Sequence, residues 1–204
     1  LSGPISLMTV VSQGCRPIGE RFVITKAERN VIYELGGRPT LECLQQVYTT
    51  LSPNEQRLAR QGLHIGYAID EQKNKFERGD FLVRNLVGAD QETGSIAIAD
   101  IVREGQTIQF HIRDRETASE DLHWLLTTRK GQINDKPIAG GLLFSCNGRG
   151  QRLFGNPNHD ITAIQKQIGA IPVAGFFAQG EIGPVGGKNF LHGFTASVVL
   201  FREQ

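Results

Sequence analysis

The sequence predicts an α+β fold, a largely antiparallel sheet or sheets with helices packed on them. Short segments in which apolar and polar residues alternate recur along the 204 residues. Most connections between these segments are too short for parallel crossovers, which favours antiparallel pairing. Three other stretches carry apolar residues at helical spacing and supply faces that can cover a sheet.

Taken in order, residues 5–11 and 21–25 read as strands around the turn Gly14-Cys15-Arg16-Pro17-Ile18-Gly19. Residues 30–35 alternate as a third strand until Gly36-Gly37 breaks the pattern, and Pro39 suits a first helical turn. Leu41, Leu44, Val47, Tyr48 and Leu51 share one side of a helix that Ser52-Pro53 interrupts. This change from strand to helix is a candidate domain boundary. Strands return at 63–69, 81–87, 95–99 and 107–113, with a polar loop over 71–79 and a turn at 90–94. A second helix follows, with Thr117 and Glu120 at capping-box spacing and Ala118, Leu122, Leu125 and Leu126 on its apolar face. Residues 138–146 form an apolar strand. Asn158 or Asp160 can cap a third helix, whose buried edge is Ile161, Ile164 and Ile168 and which Gly169 closes. Residues 172–177 and 195–201 complete the chain as strands expected to be buried on both faces.

A formal charge of +1, from 22 basic and 21 acidic residues, provides no field for nucleic acid or for an anionic membrane surface. No apolar run approaches the ~20 residues of a membrane span. Cys15, Cys43 and Cys146 are odd in number and far apart, the pattern of reduced thiols in a cytoplasmic setting. No C-x-x-C, H-x-x-x-H or H-E-x-x-H pairing occurs, so neither a metal nor a cofactor is expected.

Chemistry concentrates between Gly140 and Gly193, where half of the 24 glycines fall and the only acids are Asp160 and Glu181. Cys146 opens the loop Asn147-Gly148-Arg149-Gly150, in which backbone N–H groups and a guanidinium can hold an anion. Cys146 is also a candidate nucleophile should His192 lie within hydrogen-bond reach, oriented by Glu181 or Asp160; otherwise it is a small apolar filler. Glu181, between glycines in an apolar stretch, needs a partner or must be neutralised if it is buried, and His192 is the candidate partner. Arg113-Asp114 ends a strand just before a helix. The pair can bind a ligand carboxylate and amine, or Asp114 can cap the helix. Phe177 is a stacking surface or core. The turn containing Cys15 and Arg16 is a binding lip or simply a tight turn.

FSCNGRG from Phe144, LFG at Leu153, GFFAQGEIGPVGGKNFLHGFTAS from Gly175, and the earlier VSQGCRPIG, RNLVG and FHIRD resemble the FIST domain over nearly the whole chain. The resemblance implies that residues 1–37 are the tail of a truncated FIST N-terminal domain and residues 38–204 the FIST C-terminal domain. It further implies a cytoplasmic sensor, not an enzyme, that binds a small molecule such as an amino acid and passes its occupied state to a downstream signalling protein. It brings no catalytic residues. The ligand-binding candidates are therefore Arg113, Asp114, Cys146, Asn147, Arg149, Phe177, Glu181 and His192, with Cys15 and Arg16 at the earlier turn. The alternatives are a Cys146-dependent hydrolase or transferase and a scaffold whose glycine-rich loops dock a partner.

Overall fold

The protein is described by a computed structural model covering residues 3–73, 75–76, 79–133 and 136–203. Its secondary structure is α+β, and it divides into two compact units. One comprises residues 15–113, the other residues 1–14 and 114–204.

The 15–113 unit is a closed barrel of antiparallel strands. Strand β1 (Ile5–Ser12) belongs to the other unit; β2 (Arg16–Glu28), β3 (Val31–Leu35) and β4 (Arg38–Pro39) open this one. Helices α1 (Thr40–Thr50) and α2 (Pro53–Gln61) follow, then β5 (Leu63–Ala68), β6 (Phe81–Asp90), β7 (Ser95–Ile98) and β8 (Thr107–Ile112). The strand order β2-β8-β5-β6-β7-β3 returns to β2 through a β2–β3 pairing, and β4 extends β3. The closure depends on β2, whose register with its partners shifts between Ile18 and Arg21 and again around Lys26. Such irregularities bend a strand enough to serve two partners. Ile24, Ile32, Ile65, Ile96, Ile108, Phe110 and Ile112 fill the interior, and α1 and α2 add Val47 and Leu58. Gly19, at φ +62°, lies so close to α1 that a Cβ there would sit 2.5 Å from a Val47 methyl carbon. The polar helix α2 is absent from the sequence expectation. It starts on a capping box in which the Ser52 side chain accepts from the Glu55 N–H and the Glu55 carboxylate accepts from the Ser52 N–H.

The second unit carries α3 (Arg115–Gly131), β9 (Ile138–Cys146), α4 (Gln151–Phe154), α5 (His159–Ile168) and β10 (Val173–Ala178), then the hairpin β11 (Glu181–Val185) and β12 (Lys188–His192), and finally β13 (Ala196–Glu203). Its sheet has the order β1-β13-β9-β10. The first three strands are antiparallel, and β10 runs parallel to β9 after the crossover through α5. Leu122 and Leu126 of α3 and Ile164 of α5 pack on Val10, Ala196, Val198 and Leu200. Residues of the alternate register face the hairpin: Ser197 donates to the Ile182 carbonyl at 3.0 Å, and Gly183 leaves room for Val11. Gly186 and Gly187, at φ +58° and +78°, make the two-residue turn between β11 and β12 that requires positive φ twice.

Two expectations change here. Strand β13 is buried on both faces, but β10 is an edge strand with Phe176 and Phe177 exposed. Helix α3 is capped by Asp114, with Thr117 as the N–H donor, rather than by a Thr117–Glu120 box.

Candidate functional site

The topology of the second unit brings chemistry to one end of its sheet. Because β9 and β10 are parallel, Cys146 and Ala178 finish at the same edge. The antiparallel pairs Ala196↔Ser145 and Ser12↔Ala196 place the start of β13 and the end of β1 there too. The loop after β9 is held by backbone bonds, Cys146 N–H to Thr195 O at 2.9 Å and Asn147 N–H to Ala178 O at 2.8 Å.

On the helix face, Arg149 is buried and bidentate on Asp160, with Nε and Nη2 each 2.8 Å from a carboxylate oxygen. Asp160 also accepts from Ser145 Oγ at 2.7 Å and from His159 Nδ1 at 3.0 Å. Burial alone would raise the Asp160 pKa, but these donors, Arg149 foremost, hold it well below the usual carboxylate range. The Arg149 guanidinium lies over the Phe154 ring, which stacks on His159 with centroids 3.5 Å apart.

On the hairpin side, buried Glu181 accepts from Thr195 N–H at 3.2 Å and from Thr195 Oγ1 at 2.8 Å, both on Oε2, and the nearby Cys146 thiol also favours its charged form. Burial pushes its pKa up against these bonds and against the nearby Arg149 charge. His192 lies directly across from Glu181 in the hairpin register and donates Nε2–H to the Gly183 carbonyl at 2.9 Å. A backbone carbonyl thus occupies the nitrogen that a Cys146–His192 dyad through Nε2 would use.

Within this cluster, Arg149 Nη1 and Glu181 Oε1 are buried with no hydrogen-bond partner among the described residues. Arg149 Nη1 lies beside Gly14, where a Cβ would come within 3.1 Å of it. Asp121 pins that segment, accepting from Ser12 Oγ at 2.7 Å and Gly14 N–H at 3.1 Å. A hollow of about 240 Å³ opens on the helix face beside β10, lined by Ser145, Gly150, Asp160, Ile161 and Phe177.

The structure therefore gathers Cys146, Arg149, Glu181 and His192 in one unit, with Phe177 at the adjoining hollow. Asn147 is exposed in the same loop. Asp114 caps α3 through a 2.7 Å bond from Thr117 N–H. Arg16, in the barrel unit, is paired with Glu55 at 2.9 Å. Arg113 and Cys15 belong to that barrel unit, where the Arg113 charge acts on His64. The sequence reading missed Asp121, Ser145, His159 and Thr195. Asp121 had a signal, an acid beside Leu122 on the apolar face of α3. Among the described residues, no three His, Cys, Asp or Glu side chains gather as a metal site.

Comparison with known families supplies the rest. The FIST C domain profile matches residues 40–184, and the FIST N domain profile matches residues 1–38. The chain belongs to the FIST family. FIST domains are sensory domains of signal-transduction proteins. An uncharacterized protein of Mycobacterium tuberculosis is 50% identical over 196 residues, 96% of this chain and 51% of that protein. Another, from Mycobacterium bovis, is 50% identical over 194 residues, 95% of this chain and 50% of its own. An F-box/LRR-repeat protein of Arabidopsis thaliana is 31% identical over 85 residues, 40% of this chain and 16% of that protein. The chain spans about half the length of the mycobacterial relatives. Within this FIST chain the two profiles meet at residues 38–40, inside the barrel unit. The FIST N match contributes β1 to one unit and β2 and β3 to the other. No helix among the described residues is long and apolar enough to cross a membrane.

Proposed function

We propose that the chain is the small-ligand-binding part of a cytoplasmic sensor, with its site at the Arg149–Glu181 end of the four-stranded sheet. A single observation carries this reading. Two ionisable side chains, 1% and 2% exposed, each keep one polar atom without a partner among the described residues. A buried polar atom left unpaired costs on the order of 1–3 kcal/mol, more when charged, so a small polar guest relieves both at once. Arg149 Nη1 asks for an acceptor and Glu181 Oε1 for a donor. An amino acid or related metabolite offers both, a carboxylate and an ammonium on neighbouring carbons, and a downstream signalling protein would read the occupied state.

Thermal-shift screening of the full-length protein against amino acids and related metabolites tests the reading. A ligand at 100 times its Kd adds about 2.7 kcal/mol to native stability. The expected result is a saturable rise in Tm that Glu181→Gln removes while the unliganded variant stays folded. Arg149→Ala is unsuitable here because that side chain also holds Asp160. No stabilising compound, or a shift that survives Glu181→Gln, overturns the assignment.

A further inference from the structure

We propose that Ser119, His159 and Asp160 form an acyl-accepting catalytic triad, an activity additional to ligand sensing. Asp160 is ionised, and a carboxylate can only accept a hydrogen bond, so the 3.0 Å contact places the proton of His159 on Nδ1. In the neutral ring Nε2 then carries the lone pair. It lies 3.1 Å from Ser119 Oγ, so the hydroxyl donates to it. This is the order of a nucleophile, its base and the group that orients the base.

The parts are held firmly. Arg149 and Ser145 fix the Asp160 carboxylate. The His159 ring lies flat on Phe154, with 7° between the planes. Ser119 and His159 both line an open cavity of about 350 Å³ whose other walls include Arg115, Glu120 and Asn156. A mouth this polar selects a small polar ester, and Arg115 and Asn156 are the donors available to a carbonyl oxygen that gains negative charge.

In the step that follows, Ser119 Oγ attacks the ester carbonyl while its proton passes to His159 Nε2. The C–O bond to the leaving alkoxide breaks, and His159 returns the proton to it, releasing an alcohol and leaving an acyl-serine. Water, deprotonated by His159, then attacks the acyl carbon. The carboxylic acid departs and Ser119 recovers its hydrogen. Ser119 and His159 are the catalytic residues, and Asp160 positions His159.

A fluorophosphonate probe tests the triad directly, because it phosphonylates activated serines. The expected outcome is a single adduct that mass spectrometry places on Ser119. Ser119→Ala abolishes labelling, and His159→Gln slows it at least about 100-fold, the scale of general-base assistance. Asp160→Asn, assayed at a temperature where circular dichroism shows it folded, slows labelling to a similar degree with Ser119 still the labelled residue; should it not fold, the other two variants decide. No labelling above that of the denatured protein, labelling that persists in Ser119→Ala, or an unchanged rate in His159→Gln each overturns the triad. A lowered Tm in both variants with no labelling of the parent also overturns it, leaving these side chains a structural tie between α3 and α5.

Discussion

The barrel unit should be acid-labile, and two histidines set the scale. His64 on β5 faces His111 on β8 in register, and both are buried. Burial, with the Arg113 charge, brings the His64 pKa down to about 4; burial, with His64 nearby, does the same to His111. Unfolded, each titrates near 6.5, so between these values the unfolded chain binds more protons and stability is lost as the pH is lowered. From pH 7 to pH 5 this amounts to about 2 kcal/mol per histidine, or roughly 4 kcal/mol for the pair. Below pH 4 the loss levels off. Hydrogen exchange of the β5 and β8 amides, corrected for intrinsic rates, reads it as about a 1000-fold drop in protection. The double variant His64→Gln/His111→Gln should be nearly flat over the same range. Glu181, whose pKa is raised, works in the opposite direction but is common to both proteins and cancels in the comparison. A parent that loses less than about 1 kcal/mol, or a double variant that loses as much as the parent, refutes the assignment of neutral buried histidines.

Three further outcomes follow from the same geometry. Arg149→Met leaves Asp160 buried without its cation and should cost about 3–5 kcal/mol in urea denaturation. Ser52→Ala removes half of a capping box and should cost about 1 kcal/mol, read as a small loss of Tm. Gly19→Ala meets both a left-handed backbone and the Val47 side chain, so a loss of about 1–3 kcal/mol is expected by the same denaturation assay.

The elements legible in the sequence were those with a clean period. Alternation marked the strands that carry Ile65 and Phe110, and helical spacing marked the faces carrying Val47, Leu122 and Ile164. Closure of the barrel was not legible, because it depends on register shifts inside one long strand, and local composition carries no trace of which two neighbours a bent strand serves. Helix α2 buries only Leu58, so its apolar signal was too faint, although Ser52, Pro53 and Glu55 spelled its start. The apolar run of β10 read as interior because composition cannot tell a central strand from an edge. In the candidate site, charge scarcity made Arg149 and Glu181 conspicuous. Ser145 and Thr195 were silent, since a hydroxyl within an apolar strand or just before one announces itself only when a carboxylate from elsewhere in the chain turns out to sit beside it.

The way the FIST N match is shared between the two units governs how this protein can be taken apart. Severing the chain at residue 39, where one profile gives way to the other, would strip β1 from its sheet and break the ring by removing β2 and β3. Neither fragment would inherit a whole folding unit. Genetic dissection should instead follow the three-dimensional seams, excising residues 15–113 as a cassette and rejoining Gly14 to Asp114 through a short linker.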